Sequence, residues 1–390
     1  MTNTQRPSVH SSFIFHHSSF IILLLLAAPA SAATWFVDDD APFDPGPNDP
    51  LASDPAESGS AAHPFDAIQE AIDAAAPGDA VSVLDGIYTG PGNYDIDFLG
   101  KQITVASAGG PARCTIDAAG TGEYPRRAFH FHSGETPASV ITGFTIIGGY
   151  ASGYSALDWL AGSGGAILCD AASPTIAGNV ISACSASYLG GAICCLNASA
   201  AVIIGNTITG NAAGAGGGIC CWALASPQIG GNRITDNSAE IVGGGIHLDE
   251  RSAAAIANCL VARNAVSAMN GGGLGCWGKS AASLVNLTIA GNSASMYGGG
   301  IDCAGSTISV KNSIVWNNAG SYGANAAVET SAAASSLEVG CTCIGGGRDG
   351  ICVLPGNQLT WGEGNIAVDP LFADPAARDY HLKSIGGRWK

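Results

Sequence analysis

His247, Asp249, Glu250 and Arg251 stand within five consecutive positions, and together they could hold a proton, give one up or steady an anion. Hydrolysis of a glycosidic bond asks for two carboxyl groups facing it, which makes Asp249 one candidate and Glu240 or Asp302 the other. Removal of a proton beside a uronate carboxylate asks instead for a base such as Arg or Lys, and Arg251 is the sole basic residue of this stretch. The catalytic candidates are therefore His247, Asp249, Glu250 and Arg251. Trp222 and Trp277 lie roughly one sequence repeat to either side of Asp249. Exposed indoles stack on sugar rings, and a carboxylate between them would hydrogen-bond sugar hydroxyls. Tyr188, Glu240 and Tyr297 occur just before glycine clusters and would form one wall, so Trp222, Asp249, Trp277, Tyr188, Tyr297 and Glu240 make up the expected binding set, with a polysaccharide as partner.

Metal-binding signals are sparse. The stretch from Asp38 to Glu57 is acidic and proline-rich and has no Lys or Arg. Its oxygen ligands suit Ca2+, but their spacing matches no loop that fixes a coordination geometry. His130 and His132 alternate with Phe129 and Phe131 on one strand face, as zinc ligands can, yet no third ligand accompanies them and they read as surface histidines. No cofactor is evident, and calcium is the one that the composition admits.

The elements that would position these residues are repeats. A glycine pair or triplet is followed by an apolar residue at Ile167, Ile193, Ile219, Ile246, Leu274 and Ile301, in steps of 26 to 28 residues. Two positions after each comes Cys169, Cys195, Cys221, Leu248, Cys276 or Cys303. Asparagines keep the same beat at Asn179, Asn206, Asn232, Asn258, Asn286 and Asn312, and again at Asn211, Asn237, Asn264, Asn292 and Asn317, with Cys184 as a departure in the second series. Periods of this size mean a solenoid whose every repeat is one coil. Alternation after the glycines and breaks at Ser226-Pro227 predict three short strands per coil, stacked about 4.8 Å apart. The fold class is thus all-β, a right-handed parallel β-helix with coils of 26 to 28 residues. Its asparagines would stack as amide ladders and its small cysteines would fill a narrow interior. On the outward face the columns read Leu168, Cys194, Cys220, His247, Gly275, Asp302 and Asp170, Leu196, Trp222, Asp249, Trp277, Ala304.

Residues 1–32 read as a signal peptide, with Arg6 as the sole charge, an apolar run from Phe20 to Ala28 and small residues at Ala30, Ser31 and Ala32. Residues 33–136 read as an amino-terminal cap and irregular first coils, including a capping helix from Asp66 to Ala76 with Asp66 as its cap. Regular repeats fill 137–320, and 321–390 supply carboxy-terminal coils and a cap. The bend from Tyr150 to Gly162 is long and carries Tyr154, Asp158 and Trp159. The net charge of −16 is concentrated in residues 33–160, whereas the repeat body is close to neutral. Clustered cations are absent, which excludes nucleic acid, and no later segment is long and apolar enough to span a membrane. A secreted or surface-located monomer is expected. Thirteen cysteines in such a chain suggest disulfides. Packing explains most of them; Cys194 with Cys220 on adjacent coils, and Cys341, Cys343 and Cys352 among themselves, are the pairs that could bridge.

Trp35–Asp40, Pro64–Ala75 and Gly78–Tyr88 together resemble the amino-terminal cap of pectin-lyase-like right-handed β-helix proteins, and Val140–Ile146 resembles their first regular coil. The Gly-Gly-Ala-Ile and Gly-Gly-Gly-Ile coils are similar to the repeats of polymorphic outer-membrane proteins. Asp369–Pro375 and Asp379–Trp389 look like a tail of large exported β-helix proteins. The resemblance implies export and a fold that hosts lyases, hydrolases and adhesins, so the expected alternatives are a polysaccharide-binding surface and a polysaccharide lyase or glycoside hydrolase. Outer-membrane relatives continue into a membrane barrel, and nothing comparable precedes Lys390. The paired aspartates and Gly-His-Gly of polygalacturonase-like relatives are missing.

Overall fold

Apolar residues at one position per coil stack directly on each other along the chain. In the computed structural model, which describes residues 32–41, 52–153 and 160–383, Ile167, Ile193, Ile219, Ile246, Leu274 and Ile301 are register partners in successive parallel strands. A second column runs Ile141, Ile176, Ile203, Ile229, Ile256 and Leu284. A third runs Ile146, Ile181, Ile208, Ile234, Val261 and Ile289. All are buried. Each such side chain contributes about 1.5–3 kcal/mol by leaving water, and stacking like on like lets one short sequence pattern fill the whole interior.

Three parallel sheets of twelve, ten and nine strands therefore face one core, and the predicted all-β solenoid is what forms. The coil has a fourth strand that the sequence reading omitted. Tyr150–Ala151, Ser185–Leu189, Ala212–Ala215, Ser238–Val242, Ala265–Val266 and Ser293–Ala294 make a six-stranded sheet ahead of the glycines. These segments are short, small and half polar, so they acquire strand geometry from their neighbours and not from intrinsic preference. At the corner that follows, a side chain on Gly217 would overlap the carbonyl oxygen of Ser238 in the next coil, which explains the glycine requirement.

The asparagine ladders form, with two corrections. Asn211, Asn237, Asn264 and Asn292 each donate to the asparagine one coil on, at 2.9–3.0 Å between side chains. The rung after Asn292 is Asn318, not Asn317, whose φ is +52°, and Asn318 donates in turn to Asn325. In the first series Asn179, Asn206 and Asn232 follow on, but Cys259 takes the next rung. Asn258, Asn286 and Asn312 sit one residue earlier in left-handed backbone, a conformation that asparagine tolerates. Cys184 does occupy the second ladder, its amide donating to Asn211.

The amino-terminal helix is shorter than expected, Ile68–Ala74, with Ala67 rather than Asp66 at its start. Glu70 reaches back to the Ala67 amide, and Asn93 accepts from the amide of Ile68. Its apolar face, Ile68, Ala71 and Ile72, is buried as anticipated. Coiling persists to Gln358–Trp361, after which Phe372–Asp374 and Asp379–Leu382 pair as an antiparallel hairpin. This hairpin folds back on the repeats: Arg378 contacts Asp236 at 3.6 Å, and its carbonyl accepts from Arg233. All thirteen cysteines are free thiols, including Cys194 and Cys220, which are register partners, and Cys341, Cys343 and Cys352. Residues 1–31 of the predicted signal peptide, and Tyr154, Asp158 and Trp159, lie outside the described residues. No helix among the described residues is long and apolar enough to cross a membrane.

Candidate functional site

The outward columns stack as the spacing requires: Leu168, Cys194, Cys220, His247, Gly275 and Asp302 are successive register partners. The face they form is not bare. Leu168, Cys194, Leu196 and Cys220 are buried beneath Leu189, Ala215 and Val242 of the fourth sheet, with Tyr188, Trp222 and Trp277 packed at the margin. The unforeseen strand thus folds over the face and turns a flat surface into a cleft. Trp222 and Trp277 are half-buried walls instead of exposed platforms.

Six residues of the expected set line one cavity of about 410 Å³: Tyr188, Trp222, Glu240, His247, Asp249 and Trp277. Three successive coils supply Trp222, His247 with Asp249, and Trp277. The His247 ring is set between the indoles, its centroid 6.4 Å from that of Trp222 and 5.8 Å from that of Trp277, edge-on to the latter. Its Nδ1 lies 3.3 Å from the Gly275 carbonyl oxygen and its Nε2 lies 3.5 Å from Asp249 Oδ2. Gly275 makes this possible, because a side chain there would run into Val242. Asp249 Oδ1 accepts from the Glu250 amide at 2.7 Å.

Glu250 and Arg251 do not line the cavity. They form a bend with φ of +52° and +62°, and both are exposed. The same paired left-handed bend recurs at Asn197–Ala198 and Ala223–Leu224, so the coil geometry sets it. Tyr297 is also elsewhere, stacked on Tyr322 at 5.0 Å and lining a neighbouring cavity of about 250 Å³ with Met269, Asn270, Met296 and Glu329. Trp277 lines both cavities.

Behind Trp277 lies a pair of carboxyl groups. The indole Nε1 donates to Asp302 Oδ2 at 2.6 Å, and Asn270 donates to Glu329. Asp302 is fully buried, its Oδ1 has no hydrogen-bond partner, and the Glu329 carboxyl is close enough to act on its charge. Burial, then the nearby Glu329 charge, pushes the Asp302 carboxyl well above the usual range, and burial raises Glu329 as well. Asp302 was a sequence candidate by its column; Glu329 and Asn270 were not, although Glu329 is the register partner of Ala304.

Other candidates fall away from the cleft. His130 and His132 have rings 4.3 Å apart, and burial followed by the charge of Arg127 depresses His130 to about 4; His132 instead contacts Asp97 at 3.3 Å. Among the described residues, the group of three or more metal-type ligands is Asp38, Asp39 and Asp40, whose oxygens lie within 4.8 Å of one another. Asp38 is raised to about 6, chiefly by burial.

Residues 152–294 match the family described as right handed beta helix region, and residues 293–390 match one described as disaggregatase related. A solved pectate lyase superposes with a TM-score of 0.54 over 89% of this chain and 84% of its own, at 14% identity. The chain has the right-handed parallel β-helix fold that this pectate lyase also has. A rhamnogalacturonan lyase aligns over 92% of this β-helix and 97% of its own chain, with a TM-score of 0.45 and 13% identity. The Dettilon tailspike protein aligns over 85% and 66%, with a TM-score of 0.42 and 15% identity. No curated protein matches. At these identities the likeness is one of fold, and function has to be argued from the β-helix's own cleft.

Proposed function

We propose that this is an exported β-helix repeat protein, with repeats of the polymorphic outer-membrane type, that binds polysaccharide in the cleft between Trp222 and Trp277. The observation that carries the reading is the convergence of three aromatic rings and two carboxylates from separate coils on one cavity of about 410 Å³. Apolar walls with a few placed polar groups are the usual make-up of a ligand site. Aromatic faces bind the apolar sides of sugars, and Glu240 with Asp249 accepts from their hydroxyls. Retention of the purified chain on immobilised polysaccharides tests this. Removing both indoles (Trp222→Ala with Trp277→Ala) should weaken retention by about tenfold or more, as loss of buried aromatic anchors does. Undiminished retention would refute the assignment.

A second reading, cleavage of the bound polymer as a polysaccharide lyase or glycoside hydrolase, draws on the His247–Asp249 contact of 3.5 Å inside the cleft. An imidazole held by a carboxylate can act as an acid or a base. Assays for unsaturated products and for new reducing ends, with and without added calcium, decide it; activity that survives His247→Gln and Asp249→Asn would place any chemistry elsewhere.

A further inference from the structure

A carboxylate oxygen sealed from water with neither a donor nor a cation beside it is costly to keep charged, and a proton removes that cost. Asp302 Oδ1 is buried without a hydrogen-bond partner, Glu329 is the nearby charge that acts on this acid, and among the described residues neither acid is ion-paired with a cation. The Tyr297 hydroxyl is the other titratable group on this side of the sheet, the Cys276 and Cys303 thiols lie on the core side, and none of them is cationic. Asp302 Oδ2 meanwhile accepts from the Trp277 indole, the partition between the two cavities.

We propose that Asp302 carries a proton at neutral pH and, through it, fixes the Trp277 indole and the Glu329 carboxylate as two walls of a second sugar subsite that admits a neutral sugar and rejects a uronate. The inference rests on the reading of the first cleft as a glycan site and extends it past Trp277. The second cavity, about 250 Å³, has room for a single sugar ring. Its Trp277, Tyr297, Met269 and Met296 are apolar surfaces, and its Asn270 and Glu329 are polar groups already oriented by each other. With one Glu329 oxygen held by the Asn270 amide, its free lone pairs accept from hydroxyls. Neither cavity is lined by Lys or Arg. A sugar carboxylate would meet Glu329 in one cavity and Glu240 with Asp249 in the other, where His247 already faces Asp249, and like charges in a partly dry site repel.

Asp302 acts here as a positioning residue, and its test reads the proton directly. Tryptophan emission of the full chain is followed from pH 5 to pH 10 for the native protein, Trp277→Phe, Asp302→Asn and Asp302→Ala. A step above neutrality that is missing from both Trp277→Phe and Asp302→Asn is the expected result. In parallel, calorimetry measures cellohexaose, mannohexaose, galactohexaose and hexagalacturonate. At least one neutral hexaose should bind about tenfold or more tightly than hexagalacturonate. Asp302→Asn, which keeps a donor and an acceptor, should retain that affinity at every pH, whereas the native protein loses it above the step and Asp302→Ala loses it throughout. An emission profile without a step, or one unchanged in Asp302→Asn, overturns the proton. A uronate hexamer binding as well as the neutral ones overturns the subsite while leaving the first cleft standing. Failure of all four to bind, with the emission step intact, overturns the glycan reading of both cavities.

Discussion

A carboxyl group settles inside a protein by keeping its proton or by collecting donors, and Asp302 does both. The consequence reaches folding. The buried acid holds its proton in the folded chain at a pH where the unfolded chain has released it, since burial raises Asp302 well above the ordinary value of 3.8. A group shifted this way contributes its full stabilisation below about pH 4 and loses it as pH rises toward the folded value, at about 1.4 kcal/mol per pH unit. Thermal melts of native and Asp302→Asn protein from pH 4 upward should therefore converge or cross, the native midpoint falling relative to the variant. Parallel curves would mean that Asp302 has no shifted proton equilibrium. The pair was half visible in the sequence: Asp302 falls in a counted column, but Glu329 belongs to a coil that opens with Gly323 alone and follows its predecessor by a shorter step, Ile301 to Ala326. Without the glycine cluster its register could not be counted.

At the scale of elements, the asparagine ladder offers the cleanest contrast. Asn237 accepts from the amide and side chain of Asn211 and donates to Asn264 and to the Ile208 carbonyl, all buried. Truncating it strands several groups at once, so Asn237→Ala should cost about 2–4 kcal/mol. Asn258 bears the same residue type in the same apparent series but lies in an exposed left-handed turn, and Asn258→Ala should cost about 1 kcal/mol. Equal denaturation midpoints for the two variants would contradict the ladder assignment. The distinction escaped the sequence because a ladder and the turn before it both favour asparagine, and a single-residue offset in coil length decides which is which. The fourth strand escaped for a different reason. Ser238–Val242 offers no strong alternation, so only the pairing with Ala212–Ala215 and Ala265–Val266 makes it a strand. Its omission is why the indoles were expected in the open and were found lining a cleft; the column counts grouped Trp222, His247, Asp249 and Trp277 without it, whereas the wall of Tyr188, Glu240 and Tyr297 came together only in part.

For the molecule as a whole, periodicity made the architecture readable and left the chain's destination to be measured. A polysaccharide ligand and an apolar leader over residues 1–32 belong to the same export hypothesis. Expression of the full sequence in a secreting bacterial host should deliver to the medium or the cell surface a chain whose amino-terminal sequence starts near Ala33; a chain retained inside with its first residues intact would refute export. Stacked repeats touch their immediate neighbours alone, which lets such a rod unzip from an end one turn at a time. The closing hairpin alters that. By joining Arg378 to Asp236 and Arg233, it spans 145 positions and loops the last turns back onto the middle of the shaft. Peeling from the carboxyl side must begin by releasing this clasp, so the turns between it and its anchor are lost together instead of fraying singly.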